Sequence, residues 1–438
     1  MNYAYDLAVI GAGWAGFNAA LKAKKHGLNV VLIEKEKIGG TCLNRGCIPA
    51  KALIQSAKVY SLCQKSAKFG IEIAGSKINF PEVQKRKEAI VGQLGKGIEF
   101  MLRDIPLLKG EARFISNEEL SVGGDKIKAK HIIIASGSKP LQLPDVKFDG
   151  KKIVSSNDVL NLSRIPESLL IIGGGVIGCE FASLFSALGA DVTIVELMQH
   201  ILPQEDNEIA KRLEGIFRKR GIKIYVNTNV KSMDLEEFSL ALQCVGRAPE
   251  LESLDLKKTG ILTQKFKLSS EKIVTDEHMN TNIPNIFAAG DCAGGKQLAH
   301  AAAHQGRIAV ENIIHPGRAR QIESRLIPNC IFTAPEVASV GITEQEAGEN
   351  GIEPKINKFD FLGSGMARIM DEAEGFIKVV SDKNTGGILG GSIIGPKATE
   401  LIAIMTVAVQ SQLKLSQLRE IVFAHPTLSE SIHEATED

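Results

Sequence analysis

Two cysteines, Cys42 and Cys47, lie within the stretch Gly39-Gly40-Thr41-Cys42-Leu43-Asn44-Arg45-Gly46-Cys47-Ile48-Pro49-Ala50-Lys51. On a regular helix, at ~1.5 Å rise per residue, this spacing puts the Cα atoms about 8 Å apart, beyond the ordinary reach of a disulfide. Chemistry between the two thiols therefore needs a distorted turn. Gly39, Gly40 and Gly46 supply the backbone freedom for it, and Pro49 is tolerated in the first turn of a helix that follows. A thiol at such a helix start has a lowered pKa and persists as a thiolate near neutral pH. Two cysteines at this spacing lack the second pair, or the histidines, that a closed zinc site requires, so no metal site is expected.

The elements that position this stretch are legible as an internal repeat. The run from Asp6 to Glu34 aligns with the run from Ser168 to Glu196, and Gly11 with Gly173, Gly27 with Gly189 and Glu34 with Glu196 keep one offset. Each copy reads as an apolar strand, a glycine cluster (Gly11, Gly13, Gly16; Gly173, Gly175, Gly178), a helix, and a second strand that ends in Glu34 or Glu196. The glycines serve a tight turn, a close backbone approach to a pyrophosphate, and close packing of helix on strand. The helix N-terminus then offers its free amides to the phosphates. A carboxylate at Glu34 or Glu196 accepts hydrogen bonds from ribose hydroxyls and repels an added 2′-phosphate, which favours NAD over NADP. One such glycine cluster alone often serves packing only. Two in matching context imply two dinucleotides in one chain, as when a flavin exchanges electrons with a nicotinamide. Trp14, the only tryptophan, occupies a place in the first cluster where a small residue is expected.

With the motif C-L-N-x-G-C-I-P-x-K matched from Cys42 to Lys51, the sequence resembles the pyridine nucleotide-disulfide oxidoreductases, and most of all their dihydrolipoamide-oxidising branch. The resemblance runs along nearly the whole chain. Further matches are Ala135-Ser136-Gly137-Ser138, Val245-Gly246-Arg247-Ala248-Pro249, the run 285–291 ending in Gly290-Asp291, the run 335–341, and His425-Pro426-Thr427-Leu428-Ser429-Glu430. It implies an α/β fold with two Rossmann-like dinucleotide-binding domains, one for FAD and one for NAD, and a C-terminal α+β interface domain that makes a homodimer. The implied parts are an FAD domain (1–148), an NAD domain (149–270), a return segment completing the FAD domain (271–320) and the interface domain (321–438).

The resemblance also implies roles. Cys42 becomes the outer thiol that exchanges with a dithiol substrate, and Cys47 the inner one beside the flavin. His425, oriented by Glu430, is the base, and it serves the site of the other subunit. Lys51 and Glu180 form an ion pair beside the flavin and nicotinamide rather than a surface pair. Thr41, Ser136, Gly137, Gly246 and Arg247 join the cofactor site, Asp291 takes the flavin ribityl chain, and the segment Leu298-Ala299-His300-Ala301 brings a helix N-terminus under the flavin. Two electrons would pass from dihydrolipoamide through the cysteine pair and FAD to NAD+. The lipoyl group would be carried by a subunit of a 2-oxo acid dehydrogenase or of a glycine cleavage system. A related NAD(P)H-dependent reductase with another disulfide substrate, or a flavin-binding scaffold subunit, is the alternative. One departure bears on this choice. The stretch 226–245 is about twenty residues short of the three-stranded meander usual in the family and has room for perhaps two strands of ~5 residues.

Composition sets the outer bounds. A chain of 438 residues exceeds one hydrophobic core, and 44% apolar with 24% charged residues is ordinary for a folded, water-soluble protein. The net charge of +1 and the helical spacing of the basic stretch 211–223 argue against a nucleic-acid partner. The most apolar run, 169–188, carries a glycine-rich turn and Glu180, which does not suit a membrane span, and the chain opens on a strand-like run without a signal peptide, so a cytoplasmic location is expected. The other five cysteines, Cys63, Cys179, Cys244, Cys292 and Cys330, are expected to pack as small apolar side chains.

Overall fold

Runs of apolar residues that do not alternate with polar ones bury both faces of a strand, and this pattern belongs to parallel sheets covered on both sides. The computed structural model, which describes residues 3–317 and 320–437, forms two such sheets where the repeat predicts them. In the first copy the strand Tyr5–Ile10 pairs in parallel with Val30–Glu34 on one side and Asp125–Ile134 on the other. In the second copy Ser168–Ile172 pairs in parallel with Asp191–Val195 and with Leu240–Gln243. The helices Trp14–Lys25 and Val176–Ala187 follow the two glycine turns.

The first sheet is completed from far along the chain. Ile286–Ala288 adds a parallel strand beside Asp125–Ile134, and the helix Ala299–Ile314 then lies against Trp14–Lys25. Gly306 makes that contact possible, because a Cβ built on it would lie 2.2 Å from the Ala15 carbonyl oxygen. Gly306→Ala is expected to force the two helices apart, at a cost of about 1–3 kcal/mol. A lowered melting temperature measures it, and an unchanged one would show that the helices separate freely.

The chain crosses back to the first sheet earlier than the division expected near residue 270. Arg247–Pro249 already pairs with Ser138–Pro140, and Leu254, Ile261 and Ile273 share a core with Ile134 and Ile286. The apolar side chains of 251–273 fit the open face of the first sheet and not the second. The shortened stretch also differs from expectation. It holds one strand, Leu240–Gln243, preceded by two single turns, Val230–Ser232 and Leu235–Glu237. Val230, Met233, Leu235 and Phe238 nonetheless pack over Leu170, Ile172 and Val195, so the turns cover that face of the second sheet.

The last unit is a five-stranded antiparallel sheet, Asn329–Ile331, Glu336–Gly341, Ile388–Gly395, Phe376–Asp382 and Pro354–Asp360 in spatial order. The apolar face of the helix Ala398–Gln410 buries Leu401, Ile402 and Met405 against it. Lys378, 3% exposed on the fourth strand in that order, donates to Asp206 and Glu344 at 2.8 Å each and so ties this sheet to the second parallel unit. A buried ammonium without those carboxylates would be strongly destabilising. Among the described residues no helix is long and apolar enough to cross a membrane.

Candidate active site

Both glycine turns open into one cleft of about 1810 Å³ between the parallel units and the antiparallel sheet. The turns are built alike. A Cβ on Gly11 would lie 2.3 Å from the Ala135 carbonyl oxygen, and one on Gly173 would lie 2.7 Å from that of Cys244. Glu34 accepts from the Ala12 and Glu36 amides at 2.7 and 2.8 Å, and Glu196 from the Gly174 and Met198 amides at 2.6 and 2.8 Å. Each carboxylate is thus fixed at its strand end with lone pairs to spare for ribose hydroxyls. Neither nucleotide helix has a side-chain cap or an acidic residue in its first turn, so the amides at both N-termini are left for a phosphate. Gly11, Gly13, Gly173 and Gly175 line the cleft; Gly16 and Gly178 lie behind them, where a Cβ would strike the Gly11 and Gly173 carbonyls at 1.8 and 2.0 Å. Trp14 lines the cleft with its ring edge-on to Phe17, and its indole nitrogen is buried without a hydrogen-bond partner.

The distorted turn between the cysteines is a break between two helices. Gly40–Arg45 ends at Gly46, whose backbone leaves the helical region, and Cys47–Gln64 begins at once. The two thiols are free and lie close enough to shift each other's ionisation. The Cys42 side chain lowers the Cys47 pKa to about 7, with Lys51 assisting against the cost of burial. The Cys47 side chain, and then burial, pushes the Cys42 pKa far up. Of the two, Cys47 is the more acidic, and it stands at the first position of a helix.

Lys51 and Glu180 meet in this cleft. The Lys51 ammonium donates to both Glu180 oxygens at 2.8 and 2.7 Å, and the Phe332 amide donates to the same carboxylate at 2.9 Å. Lys51 also sits 4.7 Å from the centre of the Phe332 ring. Nothing in the sequence marks Phe332 for this task; it arrives on the strand end after Asn329–Ile331. Lys51→Met removes a cation that holds the Cys47 pKa down, so the inflection of thiolate ultraviolet absorbance in the reduced protein should move upward from about 7. An inflection that stays put would leave the neighbouring Cys42 as the whole cause.

A second network assembles residues far apart in sequence. Ser138 donates to Asp291, and Arg247 donates to the Ser138 hydroxyl at 2.8 Å, to its carbonyl at 2.6 Å and to Thr41 at 3.4 Å. In the sequence Ser138 is only the last residue of the Ala-Ser-Gly-Ser run, yet in the fold it joins Arg247 to Asp291. Ser136, Gly137, Gly246 and Gly290 line the same cleft. Leu298, Ala299 and His300 line it too at the start of the helix Ala299–Ile314, with the His300 ring bonded to the Pro328 carbonyl at 2.8 Å, whereas Ala301 is buried behind them.

His425 and Glu430 are paired, Nδ1 to Oε2, at 2.9 Å, but they do not line this cleft, and the His425 side chain is 80% exposed. Four of the remaining cysteines behave as apolar groups: burial raises the thiol pKa of Cys292 and Cys330 to about 11 and drives those of Cys179 and Cys244 higher. Among the described residues no cluster of three or more His, Cys, Asp or Glu is placed to hold a metal ion.

Comparison with known proteins bears directly on this arrangement. Residues 5–306 match the family described as pyridine nucleotide-disulphide oxidoreductase, and residues 327–436 match its dimerisation domain. The chain belongs to the pyridine nucleotide-disulphide oxidoreductases. Its relatives in this oxidoreductase family include a dihydrolipoyl dehydrogenase of Bacillus subtilis (strain 168), 40% identical over 98% of this chain and 97% of the relative. A mitochondrial dihydrolipoyl dehydrogenase of Arabidopsis thaliana is 37% identical over 98% of this chain and 89% of its own length. Among solved structures, the HOCl-induced flavoprotein disulfide reductase RclA from Escherichia coli superposes with a TM-score of 0.87 at 30% identity, covering 99% of each chain. LpdA from Mycobacterium tuberculosis superposes with a TM-score of 0.89 at 27% identity, covering 98% of each. As a pyridine nucleotide-disulphide oxidoreductase of this type the protein is an enzyme that uses FAD and NAD(H), and the two glycine cradles and their carboxylates fit two dinucleotides.

Proposed function

We propose that the protein is a dihydrolipoyl dehydrogenase, which oxidises a protein-bound dihydrolipoyl group and reduces NAD+. The observation that carries this reading is the pair of Cys42 and Cys47 set side by side in a single cleft between two dinucleotide cradles. When bound, FAD supplies a two-electron carrier between the dithiol and the nicotinamide.

The protein's own groups handle sulfur and protons. In the oxidised state Cys42 and Cys47 share a disulfide. His425 of the partner subunit takes a proton from one substrate thiol, and the resulting thiolate attacks the Cys42 sulfur. The Cys42–Cys47 bond breaks and Cys47 leaves as a thiolate, which its low pKa makes a good leaving group. The second substrate thiol then attacks the substrate sulfur of the mixed disulfide. Cys42 departs and takes the first proton from the imidazolium, the imidazole then accepts the second substrate thiol's proton and releases it to solvent, the oxidised substrate closes its own disulfide, and two electrons remain on the pair. Glu430 holds the His425 tautomer with the free nitrogen outward. Lys51 keeps the Cys47 thiolate charged while Glu180 anchors Lys51.

The exposure of His425, its absence from the cleft lining and the match of residues 327–436 to a dimerisation domain together support a homodimer whose sites each use two chains. Four parts, with the chain recrossing to the FAD unit near residue 246, lipoyl-bearing subunits of a 2-oxo acid dehydrogenase or glycine cleavage system as partners, and a cytoplasmic setting where thiols stay reduced complete the reading.

The experiment is an anaerobic titration of the purified flavoprotein with dihydrolipoamide, followed by NAD+. A long-wavelength absorption band at two electrons per flavin, lost as NADH appears, is the expected result. Neither band nor NADH would sink the proposal and leave a reductase for another disulfide or a flavin-binding scaffold.

A further inference from the structure

The hairpin of Thr263–Lys265 and Glu271–Ile273 belongs to none of the motifs above, yet its tip enters the cleft, which Phe266, Lys267 and Lys272 line. The tip is a built turn. The Phe266 amide donates to the Ser270 carbonyl at 2.9 Å, and the Ser270 amide and hydroxyl donate to the Lys267 carbonyl at 3.0 and 2.7 Å. This turn aims the Lys267 side chain. Its ammonium donates to Gln297 at 3.1 Å, and its stem stands over Gly246, where a built Cβ would lie 3.4 Å from Cδ. Gln297 in turn donates to the Arg247 carbonyl at 3.4 Å. The Phe266 ring lies beneath both cations, 5.3 Å from the Lys267 ammonium and 5.9 Å from that of Lys272.

Three cations, Arg247, Lys267 and Lys272, thus line one part of the cleft, where Asp291 already accepts from Ser138 and faces Arg247 at 4.0 Å. Burial lowers the Lys267 pKa, and Asp291 only partly opposes it. A half-buried ammonium in that position is short of negative charge. The same part of the cleft touches the first nucleotide helix: a Cβ on Gly290 would lie 3.2 Å from that of Ala15, beside the uncapped N-terminus that receives phosphate.

We propose that Lys267 is a further FAD-binding residue, a cation brought in by the hairpin tip and aimed by Gln297 to meet the phosphate and ribityl stretch of the dinucleotide in the first cradle. The inference rests on the reading of that cradle as the FAD site. Its test is FAD binding by the apoprotein, followed through the fluorescence of the single tryptophan, Trp14, which lines the same cleft. Lys267→Gln should raise the FAD Kd about tenfold, the loss of one charge-assisted hydrogen bond, and should weaken its dependence on salt. Lys267→Arg should keep the wild-type Kd, and so should Lys265→Gln, which removes an exposed charge from the same hairpin. A wild-type Kd in Lys267→Gln overturns the proposal. Equal weakening in Lys267→Arg and Lys267→Gln does so as well, because packing and not charge would then be at work. Wild-type apoprotein that fails to bind FAD overturns the flavin reading itself.

Discussion

Cys42→Ser should lower dihydrolipoamide oxidation by at least about a thousandfold, the scale on which an enzyme loses activity with its nucleophile, while the protein stays yellow. The substrate thiolate needs a sulfur to attack, and a serine oxygen cannot form the mixed disulfide. Cys47 offers no substitute, because it has a single partner thiol and that partner is gone. The rest of the site should persist. The glycine turn at Gly11, the Glu34 carboxylate and the Ser138, Arg247 and Asp291 network do not touch the altered atom. Steady-state assay together with the visible spectrum decides the matter. Turnover that survives with flavin bound would remove Cys42 from the pathway, and lost flavin would give it a structural role instead.

His425→Gln should slow thiol oxidation by about a hundredfold to ten-thousandfold, the range of a positioned general base, without releasing FAD. Its sharper consequence concerns the dimer. If His425 serves the partner's cysteines, a hybrid of one Cys42→Ser chain and one His425→Gln chain has one site with both defects and one with neither. Coexpression of the two inactive variants should then restore activity, to about a quarter of wild type when chains pair at random, because half of the dimers are hybrid and each carries one intact site. Purified hybrids bearing two different tags measure this directly. Hybrids as inactive as their parents would place His425 and Cys42 in the same chain's site, against the exposed position of the imidazole away from the cleft.

The sequence by itself determined what depends on neighbouring residues. A strand, a glycine turn and a helix follow each other within one repeat, so the two parallel units and their phosphate-ready helix ends were legible from the spacing of Gly11 and Gly173 onward. The same holds for the turn broken at Gly46 between Cys42 and Cys47. The pairs of Lys51 with Glu180 and of His425 with Glu430 were legible only through the family motifs. Only the tertiary structure decided which distant segments share a face. Ser138 joins Arg247 to Asp291, Phe332 donates its amide to Glu180, and the tip at Lys267 reaches Gln297 because sheets and cores bring these segments together. It also decided where the chain recrosses, near residue 246 instead of 270, and that 227–244 forms one strand and two turns, since that choice turns on which apolar surface remains to be covered. Local spacing fixes backbone conformation through short-range hydrogen bonds and glycine freedom. The burial of apolar surface, which selects among long-range pairings, is a property of the whole fold and leaves no mark at any one position.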